Sequence, residues 1–135
     1  TQAITELANE SDEYNSVWMA LASYWSIAAP AMAPERHGMR TEQLSHACEY
    51  ETSMMVFLHG ELVRMDRVAV SPPLVDSPYF HSEHRGRVEV AKRMATWTPT
   101  GAMGGPQHAT PEKGESLLTA IVEEVILFLN DFATW

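Results

Sequence analysis

The stretch His46-Ala-Cys-Glu-Tyr-Glu-Thr-Ser53 leads directly into Met54 to Leu58, a run that favours helix. It brings one imidazole and two carboxylates to the expected start of that helix. There, the unpaired backbone N–H groups and the positive end of the helix dipole lie beside any reacting group. Histidine carries protons near neutral pH, and a nearby carboxylate can fix its tautomer or bind a divalent metal. This junction predicts a catalytic cluster.

Two further helices are predicted on either side of the junction. Residues 1–10 place Ala3, Ile4, Leu7 and Ala8 on one helical face. Near the C-terminus, Thr110 fits an N-cap and Pro111 fits the first helical position. The apolar stripe of this last helix is wide and comprises Leu117, Leu118, Ile121, Val122, Val125, Ile126 and Leu129.

Two segments between these helices indicate strands. Val17-Trp-Met-Ala-Leu-Ala-Ser-Tyr24 is a nearly continuous apolar run of the length and aromatic content expected of a buried strand. Val63 to Val70 alternates apolar and polar residues, which favours a second strand. Helices and strands following one another along the chain predict a layered α/β fold.

Composition narrows the class of protein. The chain has 135 residues and a net charge of −9, which argues against binding to nucleic acid or to an anionic membrane surface, since both require clustered Lys and Arg. A single cysteine, Cys48, excludes an intrachain disulfide framework and favours a reducing, cytoplasmic setting. No apolar run approaches the roughly 20 residues that cross a bilayer.

The stretch 46–53 resembles the His-Ala-Gly-Glu-x-Glu-Thr-Ser signature of the creatininase family, which contains creatinine amidohydrolase and related metal-dependent amidases and deformylases. Other matches occur in the family's order: Ser23-Tyr24-Trp25, Glu61-Leu62-Val63, Asp66-Arg67-Val68, Gly101 to Pro106, Ala109-Thr110 and Glu112-Lys113-Gly114. The resemblance implies a three-layer α/β/α sandwich around a mainly parallel sheet. It also implies that residues 1–135 form the C-terminal portion of a single creatininase-like domain from a cleaved or split member.

The resemblance further implies a function. It predicts a metal-dependent amidohydrolase that cleaves a C–N bond in an amide, a cyclic amide or a formamide. A divalent ion (Zn, Mn or Fe) would be ligated mainly by residues outside this chain. The expected partners are an N-terminal chain of the same enzyme, a small amide substrate and further copies in a homo-oligomer, for which a hexamer is possible.

The resemblance also assigns roles to the charged residues of the signature. His46 would carry the proton during cleavage; on its own it would more often be a buried structural histidine. Glu49 would lie at the metal or its water, and Glu51 would support the site or contact substrate, although the two roles can be exchanged. The plainer interpretation of both is as helix N-terminal carboxylates. If residues 46–50 were helical, His46 and Glu49 would share a face.

Three more residues are candidates for substrate binding. Trp25 follows the first predicted strand and is either a core aromatic or a substrate contact. Cys48 replaces the usual glycine of the family signature and is either a nucleophile next to His46 or, the plainer interpretation, a small buried residue whose bulk tightens the pocket. His108 lies in a loop that the family brings toward its site. Acidic residues common in the family are replaced by Ser45 and Gly105, and both departures argue against creatinine itself as the substrate.

Thr1 supports a different hypothesis. A maturation cut could leave its amine beside its hydroxyl, the arrangement of N-terminal-threonine hydrolases; the plainer interpretation is a fragment end. Thr1 is therefore a candidate catalytic residue only under proteolytic processing. A third hypothesis makes the chain a non-catalytic subunit of a heteromeric complex.

Overall fold

The helices Glu49–His59 and Pro111–Phe132 pack against each other and form the centre of the described structure. A computed structural model describes residues 2–42, 44–68, 70 and 93–135. Its α-helices are α1 (Gln2–Glu10), α2 (Tyr24–Ile27), α3 (Glu49–His59), α4 (Met94–Trp97) and α5 (Pro111–Phe132). Short 3₁₀ turns connect them, at Asp12–Ser16, Ala29–Met32, Pro34–Arg36, Gly60–Leu62, Met65–Arg67 and Pro106–His108.

The start of α5 is fixed by local chemistry, as predicted. The Thr110 hydroxyl accepts a hydrogen bond from the Lys113 N–H at 3.3 Å, and Pro111 occupies the first turn, where its missing N–H costs nothing. Only part of the apolar stripe is buried: Leu117 and Ile121 face α3, whereas Val122, Ile126 and Leu129 remain exposed.

The two central helices cross at a glycine. The backbone of Ser53 in α3 lies directly against Gly114 in α5, and the Ser53 hydroxyl accepts from the Thr110 N–H at 3.3 Å. Glycine inside a helix costs about 1 kcal/mol relative to alanine, so its presence here reflects the close approach of the helices. The buried cluster around this crossing consists of Ala28, Met32, Cys48, Tyr50, Met54, Leu117 and Ile121.

A buried histidine attaches the segment before α3 to α5. The Nε2 of His37 lies 2.7 Å from the carbonyl oxygen of Ala31, and because a carbonyl can only accept, Nε2 donates. The Nδ1 of the same ring is 2.9 Å from the Ser116 hydroxyl on α5. The two bonds fix the chain between Ala29 and His37 over one face of α5. They thereby set the path into the irregular segment 38–42, the Thr41 loop.

The predicted parallel sheet, and with it the α/β/α sandwich, is wrong for the described residues, which contain helices and turns and no strand. Val17 to Ser23 is irregular, and Val17, Trp18 and Leu21 in it are exposed. Met65–Arg67, in the second predicted strand, is a 3₁₀ turn. An apolar run indicates surface that tends to be covered, but a strand also needs a neighbouring backbone to pair with. No other described segment supplies one, and Trp18 instead packs edge-on against Trp135, with ring centroids 6.3 Å apart.

The described helices can be compared with the requirements of a bilayer span, which are about 20 residues of predominantly apolar helix. The longest helix among them is α5, and neither it nor a shorter one combines the length and hydropathy of a bilayer-spanning segment.

We expect Gly114→Ala to destabilise the fold by about 2 kcal/mol or more, because overpacking costs roughly 1–3 kcal/mol and the added Cβ would overlap the Ser53 carbonyl and lie 2.8 Å from Phe57 Cβ. Gly60→Ala is the matched control, since it has open space around it and a helical φ of −56°. Urea unfolding of both variants checks this. Equal effects at the two positions would contradict the close helix crossing.

Candidate active site

His46 lies on a turn immediately before α3. Residues 46–48 are not helical, because α3 begins at Glu49. His46 and Glu49 therefore do not share a helical face. The His46 side chain is exposed, while its carbonyl oxygen accepts from the Met103 N–H at 2.8 Å. The next residue, Ala47, has a positive φ of 46°. The backbone at His46 is therefore held in place while its ring faces outward.

Glu49 has a fully buried side chain with an unusually complete set of donors. Its Oε2 accepts from the N–H groups of Arg40 and Thr41 at 2.9 and 2.8 Å and from the Thr41 hydroxyl at 2.8 Å. Its Oε1 accepts from Lys113 Nζ at 2.5 Å. Both oxygens are thus engaged by the protein itself.

Lys113 connects this carboxylate to the loop before α5. Its ammonium group also donates to the carbonyl oxygen of His108 at 2.9 Å. Burial pushes the pKa of Glu49 upward, but the hydrogen bonds from Lys113, Thr41 and Arg40 outweigh burial and lower the pKa below its usual value. Glu49 is therefore ionised at neutral pH and fastens the Thr41 loop, α3 and the start of α5 together.

Glu51, two residues further on, is placed quite differently. Its Oε2 accepts from the Ala47 N–H at 2.5 Å. It is half-buried and lines an open groove of about 910 Å³. Ala47 and Thr52 also line the groove, whereas His46 itself does not. The second carboxylate of the signature is therefore accessible from the groove, and the first is not.

The groove runs along α3 and is mostly apolar. After Glu51 and Thr52 its wall continues with Met54, Met55 and Leu58 of α3 and with Leu118 and Ile121 of α5. Arg64 and Arg67, from the segment after α3, also line it. A ligand here would meet polar groups near the start of α3 and an apolar surface beyond them.

Tyr24 is a groove residue to which the sequence assigned no role. Burial, with smaller contributions from Glu51 and Cys48, raises the pKa of its hydroxyl to about 12. It therefore remains a protonated hydrogen-bond donor near Glu51. Its position next to Trp25 in the Ser23-Tyr24-Trp25 match was the signal that could have identified it.

The three predicted substrate contacts differ in exposure. Cys48 has no exposed surface, and burial raises the pKa of its thiol, so it stays neutral. Trp25 is half-buried, packs against the core cluster and lies against Tyr24, with ring centroids 3.8 Å apart and the ring planes tilted by 36°. The His108 ring is half-buried beside Gln107. Substrate binding by these residues stays a prediction, and Thr1 lies outside the described residues.

Thr41 and Lys113 are site residues that the sequence analysis missed. Lys113 carries a clue, because it lies in the first turn of α5, where the positive end of the dipole disfavours a cation. A lysine in that position indicates a specific anionic partner. The identity of that partner, Glu49, is not visible at a separation of 64 residues along the chain.

A metal centre requires several ligating side chains close together. Among them, no three His, Cys, Asp or Glu side chains come together in a group that could hold a metal ion. Glu49 could ligate a cation only by giving up its bond to Lys113 or those to the Thr41 loop. The described part of the chain therefore does not fit a metal centre by itself, and the metal-ligand role of Glu49 stays a prediction.

The chain is similar to creatinine amidohydrolases in each comparison with known proteins. The family model for creatininase, creatinine amidohydrolase, matches residues 1–129. A creatinine amidohydrolase from Pseudomonas putida is 29% identical over 111 residues, covering 79% of this chain and 39% of that protein. A crystal structure from Bacteroides fragilis, provisionally assigned as a creatinine amidohydrolase, matches with a TM-score of 0.68 and 28% identity over 93% of this chain and 46% of its own. The chain thus spans less than half the length of either relative.

Replacing Glu49 by Gln should cost about 3 kcal/mol of stability at pH 7, because it leaves the Lys113 charge with no anionic partner. The pKa of Glu49 is lowered on folding, so its ionised form stabilises the native state above the usual value of 4.5. That stabilisation is lost as the pH falls through the lowered pKa of the folded state.

The measurement is the difference in unfolding free energy between the parent and Glu49→Gln from pH 7 to pH 3. It should narrow below about pH 4.5. Glu115→Gln, at an exposed position on α5, is the control and should show a small difference throughout. A Glu49 difference that stays constant down to pH 3 would contradict the buried ion pair.

Proposed function

Because the chain belongs to the creatininase family, we propose that it contributes to an amidohydrolase active site that cleaves a C–N bond. The substrate class is an amide, a cyclic amide or a formamide. The observation that carries the proposal is the exposed imidazole of His46, presented by a fixed turn at the start of α3.

The chemistry required matches this placement. Hydrolysis adds a water oxygen to the carbonyl carbon and breaks the C–N bond, and the departing nitrogen must receive a proton. An exposed histidine whose backbone is held in place suits that transfer, because general acid–base catalysis depends first on the position of the proton-carrying group. We assign the proton transfer to His46. Glu51, Thr52 and Tyr24 provide polar groups on the adjacent groove wall.

The metal centre and the rest of the active site would be formed by residues outside the described part of the chain. The divalent ion implied by the resemblance would be held by ligands elsewhere, and His46 can transfer its proton whichever group polarises the carbonyl. Since the chain spans less than half of its relatives, we propose that it acts together with the N-terminal part of a creatininase domain. Assembly into a homo-oligomer and a cytoplasmic setting belong to the same proposal, and the single, buried, free Cys48 supports the latter.

Replacement of His46 tests the proposal. In the complete enzyme assayed against cyclic amides, linear amides and formamides, His46→Gln should lower kcat by about 100-fold or more, since a positioned acid or base contributes about 10²–10⁴-fold. His59→Gln is the matched control, because His59 is also exposed and pairs only loosely with Glu61, at 3.4 Å. Full turnover in His46→Gln would contradict the proposal and favour a non-catalytic subunit.

A further inference from the structure

The backbone next to His46 is strained. Ala47 is the only residue other than glycine with a positive φ among the described residues. An alanine in this left-handed region is disfavoured by the contact of its Cβ with the backbone. Such a conformation persists only where the surroundings enforce it, and it often occurs at functional sites.

The side chains of the first turn of α3 enforce this conformation. Glu51, in the third position of the helix, reaches back to accept from the Ala47 N–H at 2.5 Å. This resembles a capping box, in which a glutamate in the third position accepts from the N–H of the N-cap residue. Here the N-cap is Cys48, so the glutamate reaches one residue further, onto the strained residue itself. The Thr52 hydroxyl contributes a longer bond of 3.4 Å to the Ala47 carbonyl oxygen.

The other side of His46 is also held. Its carbonyl oxygen accepts from Met103, and one residue into α3 the Glu49 N–H donates to the Gly104 carbonyl oxygen at 2.9 Å. Residues 103–104 hold the backbone of His46 on one side, and Glu51 holds it on the other. The His46 ring can therefore move only by rotation about its own side-chain torsions. The Glu51 bond is the part of this arrangement that acts on the strained peptide.

We propose that Glu51 is a positioning residue, which holds the left-handed Ala47 turn and thereby presents His46. This rests on the proposed function only in assigning His46 the proton transfer. The bond from Ala47 requires an acceptor oxygen and no charge. A glutamine should therefore replace the glutamate, whereas a metal ligand or an ionic substrate contact would need the carboxylate.

Hydrogen exchange in the 135-residue chain tests the bond without any assay of activity. The Ala47 amide should exchange at least tenfold faster in Glu51→Ala than in the parent, and at nearly the parental rate in Glu51→Gln. The Thr119 amide inside α5 reports global stability and should change little. Glu123→Ala, at an exposed position on α5, is the control variant. Unchanged Ala47 exchange in Glu51→Ala would overturn the proposal.

Turnover in the complete enzyme tests whether this positioning serves catalysis. Glu51→Ala should lower kcat at least tenfold with KM within about twofold, and Glu51→Gln should restore most of the loss. If Gln is as damaging as Ala, the carboxylate acts through its charge and the positioning role is overturned. If the parent has no amidase activity, the proposed function fails, and the exchange rates alone decide whether Glu51 holds the turn.

Discussion

The buried ion pair between Glu49 and Lys113 is the constraint on which the described structure depends most. A carboxylate with no exposed surface is costly to bury unless each of its oxygens finds donors, and this one is satisfied by an ammonium group, two backbone N–H groups and a hydroxyl. The donors come from the Thr41 loop and from the start of α5. The pair therefore specifies how three separate segments meet, in addition to any stability it adds.

Glu49 and Glu51 stand only two residues apart, but their carboxylates have different roles. A step of two residues on a helix turns the side chain by about 200°. Glu49 consequently points into the protein, where both of its oxygens are engaged in hydrogen bonds. Glu51 points back to Ala47 and the groove. The acidic signature combines a packing element with a positioning element, and the exposed imidazole of His46 lies at the turn they both support.

Some parts of the fold and of the candidate site could be predicted from the sequence, and others could not. The start of α5 was predictable because the Thr110 cap and Pro111 act on the nearest backbone, and the helix after Ser53 followed from local propensity. The strands at residues 17–24 and 63–70 were wrong because a strand depends on a partner that no local pattern reveals. The condition under which His46 and Glu49 would share a helical face is not met, because α3 begins only at Glu49 and Ala47 adopts a left-handed conformation that the sequence does not reveal. The pairing of Glu49 with Lys113 joins residues too distant in sequence to be inferred from spacing.

The most direct test is a double-mutant cycle in which Glu49→Gln and Lys113→Met are made singly and together and unfolded in urea at pH 7. Residues that form one ion pair show coupling energies of about 0.5–3 kcal/mol, and the buried geometry places this pair toward the upper part of that range. Because the two side chains form one ion pair, the double variant should lose clearly less stability than the sum of the two single variants. Additive losses would mean that the two side chains do not act on each other, and the structural role given to this pair would be wrong.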